Sequence, residues 1–334
     1  MMRAKPGYAR RGALLAAALF AMSLSASTAQ ADGPEGYPRS TVTIIVPFVP
    51  GGATDVVARH LAEALRVRWN KPVIVDNKAG ASGEIGTAYV AKARADGLTL
   101  LLGTQTALAV SPTLSKSIPY SVEKDFTPLS LLVTTPLVLL ASEKSGAKTA
   151  VDLIRMLKEQ PGKLSYGTSG IGTSQHLTAL LFLNQLGADA VHVPYKGSGQ
   201  FLIDIAGGQL DFGFDNAATA IAISKQGKAN ALAVTGLTRY PLEPGLPTIA
   251  QSGVANFEAV TWLGLLAPAG LPPTLSAWLN QEVVAVLNDP AFQSKLSAQG
   301  FTPRPMQSAE FKQYIKSETD RFANLIRKNG VVVE

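Results

Sequence analysis

The sequence contains no cysteine and only three histidines among its 334 residues. Without cysteine the fold cannot rely on disulfides, so its stability must come from a hydrophobic core, which a chain of this length can bury. No pair of histidines has the spacing of metal ligands, and no thiolate is available to complete a metal site. We therefore expect no metal site, and we predict that the protein uses no cofactor.

Long apolar runs are missing except near the N-terminus, where residues 1–31 have the pattern of a secretory signal peptide. Four basic residues come first, residues 13–25 are apolar, and Ala-Gln-Ala at 29–31 fits a small-x-small cleavage pattern. The apolar stretch is shorter than the roughly 20 residues that a membrane-spanning helix needs. We predict cleavage after Ala31 and export to the periplasm.

Little positive charge remains once this leader is set aside. The formal charge falls from +6 to +2, because the leader carries four Lys or Arg residues and no acidic residue. The rest of the chain has no basic cluster dense enough for nucleic acid and no apolar segment long enough to cross a bilayer. We predict a soluble protein that does not bind nucleic acid.

Beyond the leader, strand-like and helix-like segments alternate, which is typical of an α/β fold with mainly parallel sheets. The length favours two domains. Apolar runs at Leu131–Ala141, interrupted by Pro136, and at Thr261–Ala267 are candidates for two crossovers between those domains. The predicted division is residues 32–134 plus 260–334 in one domain and residues 135–259 in the other.

The first candidate site is the junction between the apolar strand at residues 41–46 and a helix from about Thr54. Two prolines and the pair Gly51-Gly52 lie between them, so the chain turns tightly and leaves backbone N–H groups uncovered at a helix start. Such a start carries a partial positive charge and can hold a carboxylate or phosphate. A plain tight turn is the alternative.

A second junction of this kind occupies residues 167–176, Gly-Thr-Ser-Gly-Ile-Gly-Thr-Ser-Gln-His. It does not match a dinucleotide fingerprint, a P-loop or a nucleophile elbow. It offers backbone N–H groups and small hydroxyls at a helix start, which suit a small anion. Because ligands of open α/β sheets bind outside the carboxyl ends of the strands, the two loops are expected on opposite walls of one cleft.

Several polar residues near these strand ends have two interpretations. Asp55 fits helix capping, whereas Asp215 either accepts a hydrogen bond from a ligand amine or hydroxyl or supports a neighbouring loop. His176 lies in a first helical turn and either faces the cleft or packs, and His192 fits a core position. Tyr195 and Lys196 could contribute a phenol and a cation at the rim of the expected cleft.

Many blocks of the sequence resemble the exported receptors of tripartite tricarboxylate transporters, the Bug receptors. They include P-F-V-P-G-G-A-T-D at 47–55, Y-G-T-S-G-I-G-T-S-Q-H-L at 166–177, H-V-P-Y-K-G-S-G at 192–199 and G-G-Q-L-D-F-G-F-D-N at 207–216. The match runs along nearly the whole chain after the leader.

The resemblance implies a two-domain Venus-flytrap receptor of the type II kind that closes on its solute. Loops 48–55 and 168–174 would hold a carboxylate of a dicarboxylate, an amino-acid dicarboxylate, a citrate-like acid or an aromatic acid. The implied partners are the membrane subunits of a transporter, and the receptor is expected to be a monomer. The residues expected at the ligand site are Phe48, Val49, Gly51, Gly52, Thr54, Asp55, Thr104, Gln105, Ser169, Gly170, Gly172, Thr173, His176, Tyr195 and Asp215.

An exported hydrolase is the competing class. It would need a nucleophile with a base, a metal or a pair of carboxylates, and the only remote candidate is Ser169 with His176 one helical turn later. We predict a binding protein and not an enzyme.

Overall fold

The computed structural model describes residues 33–115, 117–195 and 197–332. The predicted signal peptide and Lys196 lie outside the described residues. Within the described part of the chain, no helix is both long enough and apolar enough to cross a bilayer.

Strands and helices alternate along most of the chain. The strands are β1 (Val42–Val46), β2 (Val73–Asn77), β3 (Thr99–Thr104), β4 (Phe126–Ala141), β5 (Ser165–Thr168), β6 (Val191–Pro194), β7 (Phe212–Asn216), β8 (Asn230–Val234), β9 (Val260–Pro268) and β10 (Thr302–Pro303). The helices are α1 (Ala53–Trp69), α2 (Glu84–Ala91), α3 (Ser111–Leu114), α4 (Val122–Asp125), α5 (Ala150–Glu159), α6 (Ser174–Leu186), α7 (Ser198–Gly207), α8 (Ala217–Lys225), α9 (Pro273–Leu287), α10 (Pro290–Ser297) and α11 (Ser308–Lys328).

Two sheets share the long strand β4. The first sheet has the order β2-β1-β3-β9-β4, with β10 also paired to β4, and the second continues as β4-β7-β5-β6, with β8 on the other side of β4. Strands β1 and β5, which precede the two candidate loops, are parallel to their neighbours: β1 to β2 and β3, and β5 to β6 and β7. The crossover strands β4 and β9 run antiparallel to theirs. The two-domain α/β fold is confirmed.

Strand β4 changes partner at Pro136. Phe126–Pro136 pairs with β9, and Leu137–Ala141 pairs with β7 and β8. The sequence suggested that Pro136 interrupts this run, but the strand continues through it. Proline has no N–H to donate to a ladder, and the point where a strand exchanges partners tolerates that loss. The limits predicted for the two domains at residues 134 and 260 stay a prediction.

Both faces of each sheet are buried at its central strands, whereas Ile74 of β2 and Val191 of β6 are exposed at the edges. On β1, Ile44 belongs to a cluster with Leu61 of α1 and Leu279 of α9, whereas its neighbour Ile45 belongs to a cluster with Phe311 of α11. Successive strand side chains point to opposite faces, so this division places helices on both sides of the first sheet. The second sheet shows the same division at Leu139 and Leu140 of β4.

Helix α6 of the second domain also contacts the first. Its Leu177 is 1% exposed and lies in the same hydrophobic cluster as Trp262 of β9 and Phe311 of α11. The apolar spacing of the sequence, with the glycine after α6, predicts helices over about residues 174–185 and 308–328, close to the observed bounds of α6 and α11. The contact between them places the start of α6 beside the first domain.

Candidate functional site

The loop after β1 is held by Asp55, the third residue of α1. Its carboxylate accepts hydrogen bonds from Gly51 N at 2.9 Å, from Arg59 Nε at 2.8 Å and from Asn77 Nδ2 at 2.9 Å. The hydrogen bond from Arg59, followed by those from Gly51 and Asn77, lowers the pKa of Asp55 to about 2. Asn77 Nδ2 also donates to the carbonyl of Phe48 at 3.0 Å. Asp55 therefore fixes the turn that precedes α1, while the N-cap residue Gly52 makes no side-chain capping hydrogen bond.

The loop after β5 turns at two glycines with positive φ, Gly170 at 132° and Gly172 at 77°. Thr173 caps α6, because its hydroxyl oxygen accepts from His176 N at 3.4 Å while its O–H donates to the carbonyl of Gly170 at 2.7 Å. Residues 174 and 175 follow in the first turn of α6, where amide N–H groups have no acceptor within a helix. The loop therefore presents donors at the positive end of a helix dipole.

The imidazole ring of His176 contacts the backbone of this loop. Its Nδ1 accepts a hydrogen bond from Gly172 N at 3.1 Å, and its ring stacks on His192 with 4.1 Å between centroids and 8° between planes. His192 in turn stacks on Tyr166, and its Nε2 lies 2.8 Å from Thr168 Oγ1. Burial, and then the neighbouring His192, lowers the pKa of His176 to about 4. Burial also lowers the pKa of His192. Both rings are neutral near pH 7.

Asp215 closes β7 behind the same loop and is fully buried. Its carboxylate accepts from Ser198 Oγ at 2.9 Å, from Gln175 Nε2 at 3.3 Å and from the Thr219 hydroxyl. Gln175 Oε1 also accepts from Ser169 Oγ at 2.9 Å. The carboxylate thus connects α6, α7 and α8 within one domain, as the loop-supporting interpretation of Asp215 requires.

Other residues predicted at the site also have partners within the fold. The hydroxyl oxygen of Thr104 accepts from Ala107 N at 3.3 Å, and Gln105 Nε2 donates to Val260 O at 2.8 Å and to Glu318 at 3.0 Å. The Tyr195 hydroxyl donates to Asp204, and burial followed by this contact raises the pKa of Tyr195 to about 12. Trp262 in β9 is also buried and donates from Nε1 to Glu318 at 3.1 Å.

A cavity of about 710 Å³ lies between the two domains. The second domain contributes the loop after β5 and the start of α6. The first domain contributes Phe48 and the segments that follow β2 and β3. The lining residues are Phe48, Ser82, Glu84, Thr106, Val110, Ser111, Leu114, Ser115, Ser117, Ser169, Ile171, Gly172, Thr173, Ser174 and Gln175. Among these lining residues Glu84 is the only ionisable side chain.

The cavity brings together part of the predicted site. Phe48, Ser169, Gly172 and Thr173 line it. The predicted residues outside this lining are Val49, Gly51, Gly52, Thr54, Asp55, Thr104, Gln105, Gly170, His176, Tyr195 and Asp215. Val49 is 65% exposed at the protein surface. Whether these residues meet a ligand stays a prediction.

Sequence reasoning missed the hydroxyls that follow β2 and β3. Ser82 lies in the glycine-rich turn before α2, and Thr106 begins a π-helical turn, Thr106–Val110, which leads into α3 with Ser111. Both segments follow the carboxyl ends of parallel strands, and that position was the available signal. Within the described residues, no three His, Asp or Glu side chains come together to hold a metal ion.

This arrangement, two α/β domains joined by two crossover strands with a polar cavity between them, defines a two-domain solute-binding protein. A family model described as the tripartite tricarboxylate transporter family receptor matches residues 57–331. BugT of Bordetella pertussis is 36% identical over 320 residues, which cover 96% of each chain. The chain therefore belongs to the family of tripartite tricarboxylate transporter receptors, and the resemblance to Bug receptors is confirmed.

Solved structures agree with this family. R. palustris Rpa4515, solved with adipate, is 32% identical with a TM-score of 0.73 over 89% of this chain and 99% of its own. The periplasmic binding protein BugD is 34% identical with a TM-score of 0.69 over 89% and 100%. MatC from Rhodopseudomonas palustris, with bound malate, is 30% identical with a TM-score of 0.67 over 87% and 100%. Members of the family are periplasmic solute-binding receptors.

The hydrolase alternative gains no support from these relatives or from the geometry. The Ser169 hydroxyl donates to Gln175, and His176 Nδ1 accepts from a backbone N–H of the loop. A nucleophile and its base need a direct hydrogen bond to transfer a proton, and these two side chains each bond elsewhere.

Proposed function

We propose that this receptor holds a small organic carboxylate between its two domains and delivers it to the membrane subunits of a tripartite tricarboxylate-type transporter. The observation that carries the proposal is the start of α6, which reaches the cavity with Ser174 and Gln175. Their N–H groups lie in the first helical turn, whereas those of Gly172 and Thr173 already donate to His176 Nδ1 and to the carbonyl of Gly170. A helix start binds a carboxylate without a cationic side chain, because its free N–H groups and dipole attract negative charge. Adipate and malate, named with two of the relatives, are dicarboxylates.

The carboxylate would meet hydroxyl groups from both domains. Ser169 and Thr173 line the wall of the second domain, and Thr106, Ser111 and Ser115 line the wall of the first. Hydroxyls both donate and accept, so they can hold a carboxylate at one end of the solute and a polar group at the other. Asp55, His176 and Asp215 would act indirectly, because their side chains hold the loops in place.

The proposed receptor binds its solute without converting it. It would reach the periplasm after loss of residues 1–31 and act there as a monomer. One-to-one binding without turnover is the expected behaviour for a cavity whose lining combines helix N–H groups, hydroxyls and one carboxylate. Product analysis by mass spectrometry after overnight incubation with each ligand should show the ligand intact.

A thermal-shift series tests the binding proposal. The mature chain is unfolded, dialysed and refolded to remove retained ligand, and then heated with millimolar adipate, malate, citrate, glutamate or benzoate. A ligand that binds only the folded state adds RT ln(1 + [L]/Kd) to the free energy of unfolding, which raises the melting temperature. The matched controls are the corresponding diamides and diols, which lack the carboxylate. An unchanged melting temperature with every acid would contradict the proposal.

Two glycine variants locate the carboxylate within the receptor. Gly172 and Gly187 both have positive φ, 77° and 62°, at opposite ends of α6. Valine strains the backbone at each position, so both variants should lose comparable stability. Only Gly172→Val should abolish binding, because Gly172 lines the cavity. Equal affinities in the two variants, measured by titration calorimetry, would place the carboxylate elsewhere.

A further inference from the structure

The cavity contains one feature that a site for negative charge alone does not require, the carboxylate of Glu84. Glu84 is the first residue of α2, is half-buried, and lines the wall that belongs to the first domain. Its Oε1 accepts a hydrogen bond from Ser115 Oγ at 2.6 Å. Among the described residues, no Lys or Arg forms an ion pair with it.

The position of Glu84 in the first turn of α2 explains part of why an acidic residue stands there. An acidic residue in the first turn complements the dipole of its own helix, and Glu310 occupies the same kind of position in α11. Glu310, however, is exposed to solvent, whereas the Glu84 side chain faces the cavity and is held there by Ser115. A fixed negative group in a partly enclosed site repels a solute carboxylate placed beside it.

The two domains therefore offer opposite electrostatic environments to one solute. The wall of the second domain presents the positive end of α6, and the wall of the first presents the Glu84 carboxylate. The hydroxyls between them do not distinguish charge, because each can donate or accept. A solute whose two ends carry opposite charges satisfies both walls.

We propose that Glu84 selects solutes that carry a positively charged nitrogen as well as a carboxylate. The inference rests on the proposed function, because the carboxylate end is held at the start of α6. The nitrogen contacts Glu84 through a charge-assisted hydrogen bond, with Ser115 holding the acceptor in position. The preferred class is therefore an amino carboxylic acid, in preference to a dicarboxylate of similar length.

Titration calorimetry with matched ligands tests this selectivity. Hexanoate and 6-aminohexanoate differ only in the amine, as do glutarate and glutamate, or succinate and aspartate. For the refolded mature chain at pH 7, we expect the aminated member of at least one pair to bind about tenfold more tightly or better. Glu84→Gln keeps the shape and an acceptor for Ser115 and should bring that ratio close to one.

Two further variants separate the charge from the fold. Glu84→Asp keeps the charge and should retain a preference for the amine even if the shorter side chain weakens it. Glu310→Gln removes an exposed first-turn carboxylate that is not part of the lining and should leave the ratio at its wild-type value. Circular dichroism of each variant confirms that the fold persists.

The outcomes separate the two proposals. If carboxylates bind but the amine gives no advantage, or if Glu84→Gln leaves the advantage unchanged, the selectivity is wrong and the binding proposal stands. If wild type and Glu84→Gln bind neither acids nor amino acids, both proposals are wrong. If only Glu84→Gln binds, Glu84 repels carboxylates without binding an amine, and the selectivity is again wrong.

Discussion

At the scale of single residues, the stacked histidines make the loop after β5 sensitive to acid. His176 can accept the Gly172 N–H only while its Nδ1 is unprotonated. Protonation would also place a positive charge against the ring of His192, whose centroid lies 4.1 Å away. The loop geometry therefore depends on a neutral imidazole.

This dependence predicts that the protein loses stability as the pH falls below about 6.5. The pKa of His176 is about 4 in the folded chain against an ordinary value of 6.5, so between these values the unfolded chain binds the extra proton. The folded state should lose about 3 kcal/mol across that window. Denaturant unfolding of wild type and His176→Asn at pH 7 and pH 4.5 measures this change in the free energy of unfolding. The variant keeps an acceptor for the Gly172 N–H but has no imidazole at this position, so its free energy of unfolding should fall less. An imidazole that titrates near 6.5 by NMR would contradict the prediction.

The alternatives that the sequence left open at Asp215, and the contacts that Asp55 makes, depend on partners distant in the sequence. Asp55 meets Asn77 from the neighbouring strand, and Asp215 meets Gln175 and Ser198 from two different helices. A strand-end carboxylate looks the same in the sequence whether it faces a ligand or three donors of its own domain. Glu84 was missed although its segment follows β2, because the sequence does not show which side chains of that segment face the cavity.

At the scale of elements, β9 and α11 pack so closely that they exclude a side chain. A Cβ at Gly264 would lie 2.1 Å from Phe311 Cζ. We predict that Gly264→Ala lowers the free energy of unfolding by about 1–3 kcal/mol through overpacking. Gly199→Ala in α7 is the matched control, because a Cβ there meets nothing within 4 Å and helices favour alanine. Equal urea midpoints for the two variants would show that β9 and α11 accommodate the added Cβ with no loss of stability.

The elements themselves were largely predictable, whereas two irregular ones were not. Helices such as α1 and strands such as β1 follow from local apolar spacing, which needs no knowledge of the partner. The continuity of β4 through Pro136 depends on which strands lie on each side of it. The π-helical turn at residues 106–110 packs against other elements, with Leu108 and Ala109 buried, and has no local signature.

At the scale of the whole molecule, a ligand that touches both walls should draw the domains together. The ligand can stabilise the closed state only by the difference between its affinities for the closed and open states. We predict that small-angle scattering shows a smaller radius of gyration when a ligand found by the thermal-shift series is added. Gly172→Val should show no decrease at the same concentration. An unchanged radius with saturating ligand, verified by calorimetry, would mean that the solute binds without closure.

The paired crossover strands set what kind of closure is possible. β4 and β9 are paired side by side, from Phe126 opposite Pro268 to Pro136 opposite Val260. Neither strand can therefore twist without moving the other. A single flexible linker would leave the domains free to rotate about several axes, whereas two fastened strands leave little more than one bending coordinate. A solute that stops this motion therefore removes little conformational entropy. More of its contact energy then remains available as affinity than in a receptor whose domains rotate freely.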